Sequence, residues 1–291
     1  MNIKPKCIAC TVKQAYNAAS LATYDEEIQR NIINEFCNYL PSVDPKSSPP
    51  EVSKVIQSIT VKHTGIQDPY KEVKDQNFSK ILKFKRYLET YVDASKNPFE
   101  EAIRIAIAGN TIDLGANPDY DIEGEINKLS SNNIVMDDFS SFKEDVLNAK
   151  SILYIADNFE EAIFDKFLIE QLLPRRIYYA VRSKPILNDI SLQDVNKTGI
   201  DDLCVVIESG SDLPGTVLDN CTDEFKRLYD EVDLVISKGQ GNFETLENCK
   251  REIYFLFKVK CDVIEKYCGQ PIGKSILIKR GSKINNNSAG N

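Results

Sequence analysis

The sequence predicts an α/β protein, with a helical N-terminal region followed by a mainly parallel sheet that carries helices on both faces. Two features of the pattern lead there. Apolar residues recur at helical spacing through residues 1–110, and from Lys150 onward short β-branched runs alternate with helical stretches. Composition is the third observation: 42% hydrophobic and 27% charged residues over 291 positions describe a globular chain with enough length for a sizeable core.

Residues 10–38 open the helical region, with Val12, Ala15, Tyr16, Ala19 and Leu21 followed by Ile28, Ile32, Ile33 and Phe36. A Pro/Ser-rich break over 41–50 precedes a second helix at 51–59, opened by Pro49-Pro50. Residues 69–94 read as one or two helices, with Ile81, Leu82, Phe84, Leu88 and Tyr91 in step. Pro98, a favourable first-turn residue, opens another helix through Gly109-Asn110; its second half is apolar almost all round, so it is expected to be buried. Residues 117–141, rich in Asp, Asn and Ser, read as a connector with one short helix. Strands are expected at 151–156, 176–181, 203–208, 233–237, 252–258 and 275–279, with helices at 159–172 and 221–231. Such alternation builds βαβ units. The expected organisation is a helical region over 1–115, a connector over 116–149, an α/β core over 150–280 and a disordered tail over 281–291.

Charge and composition exclude several functions. A net charge of −8 makes a general nucleic-acid binder a poor reading, because phosphate backbones need clustered Lys and Arg. No apolar stretch reaches the roughly 20 residues of a membrane helix, and no apolar run follows the first residues. The expectation is a cytoplasmic protein whose eight irregularly spaced cysteines stay reduced. A single histidine, His63, rules out machinery that needs two.

In open parallel sheets ligands bind beyond the carboxyl ends of the strands. Asp157-Asn158 follows the first core strand. Arg182-Ser183-Lys184-Pro185 and Asn188-Asp189 follow the second, Ser209-Gly210-Ser211 the third, and Lys238-Gly239-Gln240-Gly241-Asn242 the fourth. Carboxylates and carboxamides at one rim suit a hard cation such as Mg2+ or Mn2+, and a lysine beside a helix start suits a phosphate. Each motif also has a plainer account. Asp157-Asn158 can cap the next helix, Asn188-Asp189 can be a turn, and a lone G-x-G is weak. Asn110 and Asp113, three residues apart, share one helical face and can equally end that helix.

These residues carry a resemblance. Gly109-Asn110-Thr111-Ile112-Asp113, Asp157-Asn158 with Glu161 and Asp165, Arg182 through Asp189, and Lys238-Gly239-Gln240-Gly241-Asn242-Phe243-Glu244 stand in the order and spacing of the damage-control phosphatase family, formerly domain of unknown function 89. Cys7-Ile8-Ala9-Cys10 resembles the Cys-x-x-Cys opening of its prokaryotic branch. The likeness covers about residues 5–280. It implies a helical region on a three-layer α/β core, and a metal-dependent phosphatase (Mg, Mn, Co or Ni) acting in metabolite repair on a small phosphorylated metabolite. It further implies Asp157, Asn158 and Asp189 as metal ligands, Asp157, Asp189 and Lys238 as catalytic residues, and Lys238 on the substrate phosphate. Asn110, Asp113, Glu161, Arg182, Lys184, Ser209, Gly210 and Asn242 are the further candidates for substrate and phosphate binding. One departure stands out: Glu160 occupies the position where the family usually has glycine.

The parts suggest hydrolysis by metal-activated water, since the Asp-x-Asp of a covalent aspartyl mechanism is absent after the first core strand. Two other classes stay open on the same scaffold: a group-transfer enzyme of the methyltransferase kind, and a metabolite-binding module that has lost chemistry, with Glu160 as the lesion. Three imitations are set aside. Cys7 and Cys10 lack the second pair of a four-thiolate zinc site. Residues 269–275 have a P-loop's ending but three residues between the glycines instead of four. The acidic run at 119–125 lacks the spacing of a calcium loop.

Overall fold

The computed structural model describes residues 1–110 and 134–281. Asp113, the acidic run at 119–125 and nearly all of the expected tail lie outside the described residues. Helix α1 (Pro5–Ala22) starts with proline in its first turn. The periodicity expected to run over 10–38 is broken after Ala22, because Asp25 caps a new helix, α2 (Glu26–Tyr39), accepting from the Glu27 and Ile28 amides. Helix α3 (Pro49–Thr64) begins where Glu51 accepts from the Ser48 amide at 2.7 Å. These three helices share a small core of Ala15, Ala18, Ile32, Phe36, Val52 and Ile56. Helices α4 (Lys71–Leu82), α5 (Lys85–Asp93) and α6 (Pro98–Gly109) follow. As expected, α6 is buried: Ile103, Ile105, Ala106 and Ile107 are fully covered.

Strand β1 (Ile134–Val135) and helix α7 (Phe139–Asn148) lie inside the stretch read as a connector. The core then runs β2 (Ser151–Ile155), α8 (Ala162–Leu172), β3 (Arg176–Val181), α9 (Val195–Thr198), β4 (Val205–Glu208), α10 (Asp223–Glu231), β5 (Leu234–Lys238), α11 (Gln240–Leu246), β6 (Ile253–Lys258), α12 (Asp262–Cys268) and β7 (Ser275–Arg280). The seven strands are ordered β1-β7-β6-β5-β2-β3-β4. All neighbours are parallel except β6 and β7, so β7 and β1 oppose the other five.

Alternation along each strand makes three layers. In β2, Ile152 and Tyr154 join a core with α6, α7 and α8, while Leu153 and Ile155 join one with α10, α11 and α12. The connectivity also fixes where a ligand can sit. From β2 the chain steps outward through β3 to β4, then returns to lay β5 on the other side of β2. That reversal leaves a crevice beyond the carboxyl ends of β2 and β5. None of the described helices is long and apolar enough to cross a membrane.

Candidate active site

Asp157 leaves β2 and Gly239 leaves β5 on the two sides of that crevice. A Cβ on Gly239 would fall 1.9 Å from Asp157 Oδ2, and its φ of +80° is one that side-chain-bearing residues rarely adopt. The glycine is therefore what lets the Asp157 carboxylate occupy the switch point. The loop after β3 folds back to meet the same residues. The Phe159 amide donates to Asn188 O and the Ile190 amide to Asp157 O, each at 2.9 Å, so Asn158 and Asp189 pair like residues of a short antiparallel ladder. Leu187, at the turn of this loop, takes φ +47°, a left-handed conformation uncommon for such a residue.

Asp157, Asn158, Asp189 and Asn110 thus line one pocket of about 380 Å³. Asn110 donates to Asp157 Oδ2 at 2.9 Å and to Glu161 Oε1 at 2.7 Å, while its own Oδ1 accepts from the Lys258 amide. Asn158 Nδ2 also donates to Glu161 Oε1 at 2.7 Å, and no side-chain cap of the following turn is made by Asn158. Glu161 therefore sets the orientation of both carboxamides.

Below this layer lies a fully buried ion cluster. Lys238 Nζ donates to Glu161 Oε2 at 2.8 Å and Asp165 Oδ1 at 2.6 Å. Tyr154 and Tyr179 also donate to Asp165. Arg182, 1% exposed, donates to Asp189 Oδ2 at 2.8 Å, to Thr216 Oγ1 and to Asn242 Oδ1. Asn242 in turn donates to Ala156 O and Lys238 O. Asn242, Arg182 and Lys238 belong to this supporting layer and do not line the pocket.

The remaining candidates sit elsewhere. The Gly210 amide donates to Ser183 Oγ at 2.8 Å and the Ser209 amide to Val181 O, so both amides of that turn are engaged. Lys184 is exposed and lies off the pocket wall. The sequence reading missed Lys260, an exposed lysine just past β6 that lines the pocket, and gave no site role to Glu244 on α11, which it quoted only within the Lys238–Glu244 motif. The strand-end rule finds Lys260 once it is applied to the strand at 252–258. Gln14, Pro49, Pro50 and Ser53, which roof the pocket from α1 and α3, carry no such signal. Glu160 is buried on the pocket wall, with Asn188 Nδ2 at 3.5 Å from its Oε1.

The acids here are held away from their ordinary behaviour. Burial drives the Asp157 carboxyl well above the usual range, and the neighbouring charges of Glu161 and Asp189 push the same way. Burial pushes Asp189 up to about 6 against the opposing pull of Arg182. Glu244 rises to about 7, again through burial, against Gln240, the Met1 ammonium and Lys260. For Lys238 burial works to lower the value, but Asp165 and Glu161 together hold it above that of a free lysine.

A cation fits this arrangement. Asp157, Glu160, Glu161, Asp165, Asp189 and Glu244 are six buried carboxylates at this site against two buried cations, Lys238 and Arg182. No three His, Cys, Asp or Glu side chains among the described residues are grouped to hold a metal by themselves. The donor set would be two carboxylates and a carboxamide, Asp157, Asp189 and Asn158, all hard oxygen ligands.

Comparison with known proteins places this geometry in a family. Residues 3–276 match the model of the damage-control phosphatase ARMT1-like domain. The chain is 32% identical over 295 residues to an uncharacterized protein of Methanocaldococcus jannaschii, covering 96% of each. It is 30% identical to a damage-control phosphatase of Pyrococcus horikoshii, covering 98% of this chain and 100% of the relative. A crystal structure of a DUF89 family protein from Pyrococcus horikoshii superposes with a TM-score of 0.87 at 29% identity, over 96% of this chain and 99% of the other.

Proposed function

The chain belongs to the damage-control phosphatase ARMT1-like family, and on that premise we propose that its pocket hydrolyses small phosphorylated metabolites with a divalent metal held by Asp157, Asn158 and Asp189. The observation that carries this reading is the excess of buried carboxylates over buried cations at this site, with two of those carboxylates, Asp157 and Asp189, held beside Asn158 by a backbone ladder. A volume of about 380 Å³ suits a small ligand.

When bound, Mg2+, Mn2+, Co2+ or Ni2+ would supply Lewis-acid stabilisation of charge on the phosphoryl group. This chain's residues do the rest. Lys260, on the pocket wall, draws in the phosphate dianion. Asn110 and Arg182 hold the Asp157 and Asp189 carboxylates by single hydrogen bonds and leave their other oxygens for ligation. The Asp157–Asp189 pair takes the proton of the attacking water. In this reading Lys238 is a positioning residue. It holds Glu161, which orients the Asn110 and Asn158 amides, and it does not reach the phosphate. Gln14 of α1 and Pro49, Pro50 and Ser53 of α3 supply the helical wall that the leaving group meets.

The test is hydrolysis of an aryl phosphate by metal-stripped protein with each metal added back, beside Asp157→Ala, Asp189→Ala and Lys260→Ala. Activity should require metal and fall at least about 100-fold in both aspartate variants. Lys260→Ala should act mainly on KM. Full activity in either aspartate variant would move the site elsewhere, and a folded protein inactive with every metal would leave a binding role.

A further inference from the structure

We propose that Glu244 is a specificity-determining residue, which accepts a hydrogen bond from a hydroxyl on the leaving group and rejects phosphomonoesters whose leaving group carries a second anion. The proposal rests on the phosphatase reading above. Gly239, which precedes helix α11, stands against the Asp157 carboxylate, and Glu244 is the fifth residue of the helix. At the helical rise its backbone lies roughly 6 Å along the axis from Gln240, the first helical residue beyond the reacting end. A phosphoryl group held at Asp157 and Asp189 does not extend that far, so the atoms that meet Glu244 belong to the leaving group.

Its carboxylate is fixed rather than adaptable. Gln240 Nε2 donates to Glu244 Oε1 at 2.8 Å, while Gln240 Oε1 accepts from the Lys260 amide at 3.1 Å. Both ends of the Gln240 amide are thereby used, which ties the Glu244 carboxylate to the strand-end residue Lys260. Glu244 is only 8% exposed, yet it lines the pocket. A like charge brought there meets it with little water between them, where repulsion is least screened. Gln14, Ser53 and Gln240 complete that side of the pocket, and no aromatic ring lines it among the described residues. The leaving group is read by hydrogen bonds rather than by stacking.

The pair sn-glycerol 1-phosphate and 3-phospho-D-glycerate tests this, because the two share the C2 configuration and differ in a hydroxymethyl group against a carboxylate. With metal-loaded full-length protein at pH 8, above the value of about 7 to which burial pushes Glu244, kcat/KM should favour glycerol phosphate by at least about tenfold. Glu244→Gln should erase most of that ratio, chiefly through the KM of phosphoglycerate, and Glu244→Asp, which keeps the charge, should retain it. A ratio unchanged in Glu244→Gln, or no preference in the wild type, overturns the proposal. Wild type that turns over aryl phosphate but shows either result overturns only the proposal. Wild type inactive on every phosphoester overturns the phosphatase reading beneath it.

Discussion

At the amino end of the strands, Asp145, Asp230, Asp233 and Glu252 meet Arg251 around a recess of about 320 Å³, with Lys279 paired to Asp145 and Glu252; at the carboxyl end, Asp157, Glu160, Asp189 and Glu244 share a pocket of about 380 Å³ with Lys260. Both ends are acidic, of similar size and crossed by a lysine bridging two carboxylates. They differ in how charge is settled. Lys279 spans Asp145 and Glu252 at 2.8 and 3.1 Å with all three side chains partly in water, and Asp233 accepts from the Lys150 and Ser151 amides. Lys238 spans Glu161 and Asp165 with no exposure at all, beneath two further carboxylates whose pKa values burial drives upward. Acidic residues alone do not mark a site; acids buried together and left short of positive charge do.

The largest way to sharpen this contrast is to remove the two lysines. Lys238→Met leaves Glu161 and Asp165 buried without their cation and should cost about 3–5 kcal/mol. Lys279→Met, in partly solvated pairs, should cost about 1 kcal/mol or less. Denaturant unfolding of both variants reads the difference. Equal losses would mean that the two ends store charge in the same way.

Two glycines give the next effect. A Cβ on Gly239 would strike the Asp157 carboxylate at 1.9 Å, and one on Gly281, at the other end, would strike Arg251 O at 2.0 Å; both glycines have positive φ, +80° and +90°. Each alanine variant should lose stability. Only Gly239→Ala should lose activity beyond its folded fraction, by about 100-fold, because a displacement of about 1 Å at a reacting centre is worth that much. Aryl phosphate turnover per folded molecule checks it.

The sheet and its rim were legible because strand signals are local. Residues 151–156, 176–181 and 252–258 alternate or run apolar over strand lengths, and the polar residues follow at once. So Asp157, Asn158 and Asp189 could be placed at one rim before any coordinates. For Lys238 the sequence shows the strand end but not the ion-pair partners. A lysine at a strand end reads as a phosphate ligand, but its partners Glu161 and Asp165 belong to the elements after β2, and only the sheet order brings them under it. Ser53 and Gln14 reach the pocket through helix packing, which no spacing in the sequence encodes. The break after Ala22 was missed because apolar spacing persisted across it, while the deciding signal was the single cap Asp25.

The ends should also respond to pH with opposite sign, a smaller effect that bears on the comparison most directly. Burial holds the folded Asp189 near 6, against an ordinary value of 3.8. Between those values the folded state binds a proton that the unfolded chain does not, so metal-free protein should gain stability as pH falls from about 6 toward 4. At the other end burial pulls Asp233 upward, but its bonds from Lys150 and Ser151 outweigh this and leave it below 3.8. Its contribution is present above pH 4 and is lost as pH falls further. Unfolding midpoints of chelator-treated protein across pH 3–7 should therefore pass through a maximum. Asp189→Asn should reduce the upper limb, which Asp157 and Glu244 share, and Asp233→Asn the lower one. If a single substitution flattened both limbs, the two ends would be coupled through the sheet and the division between a settled end and a charged one would fail.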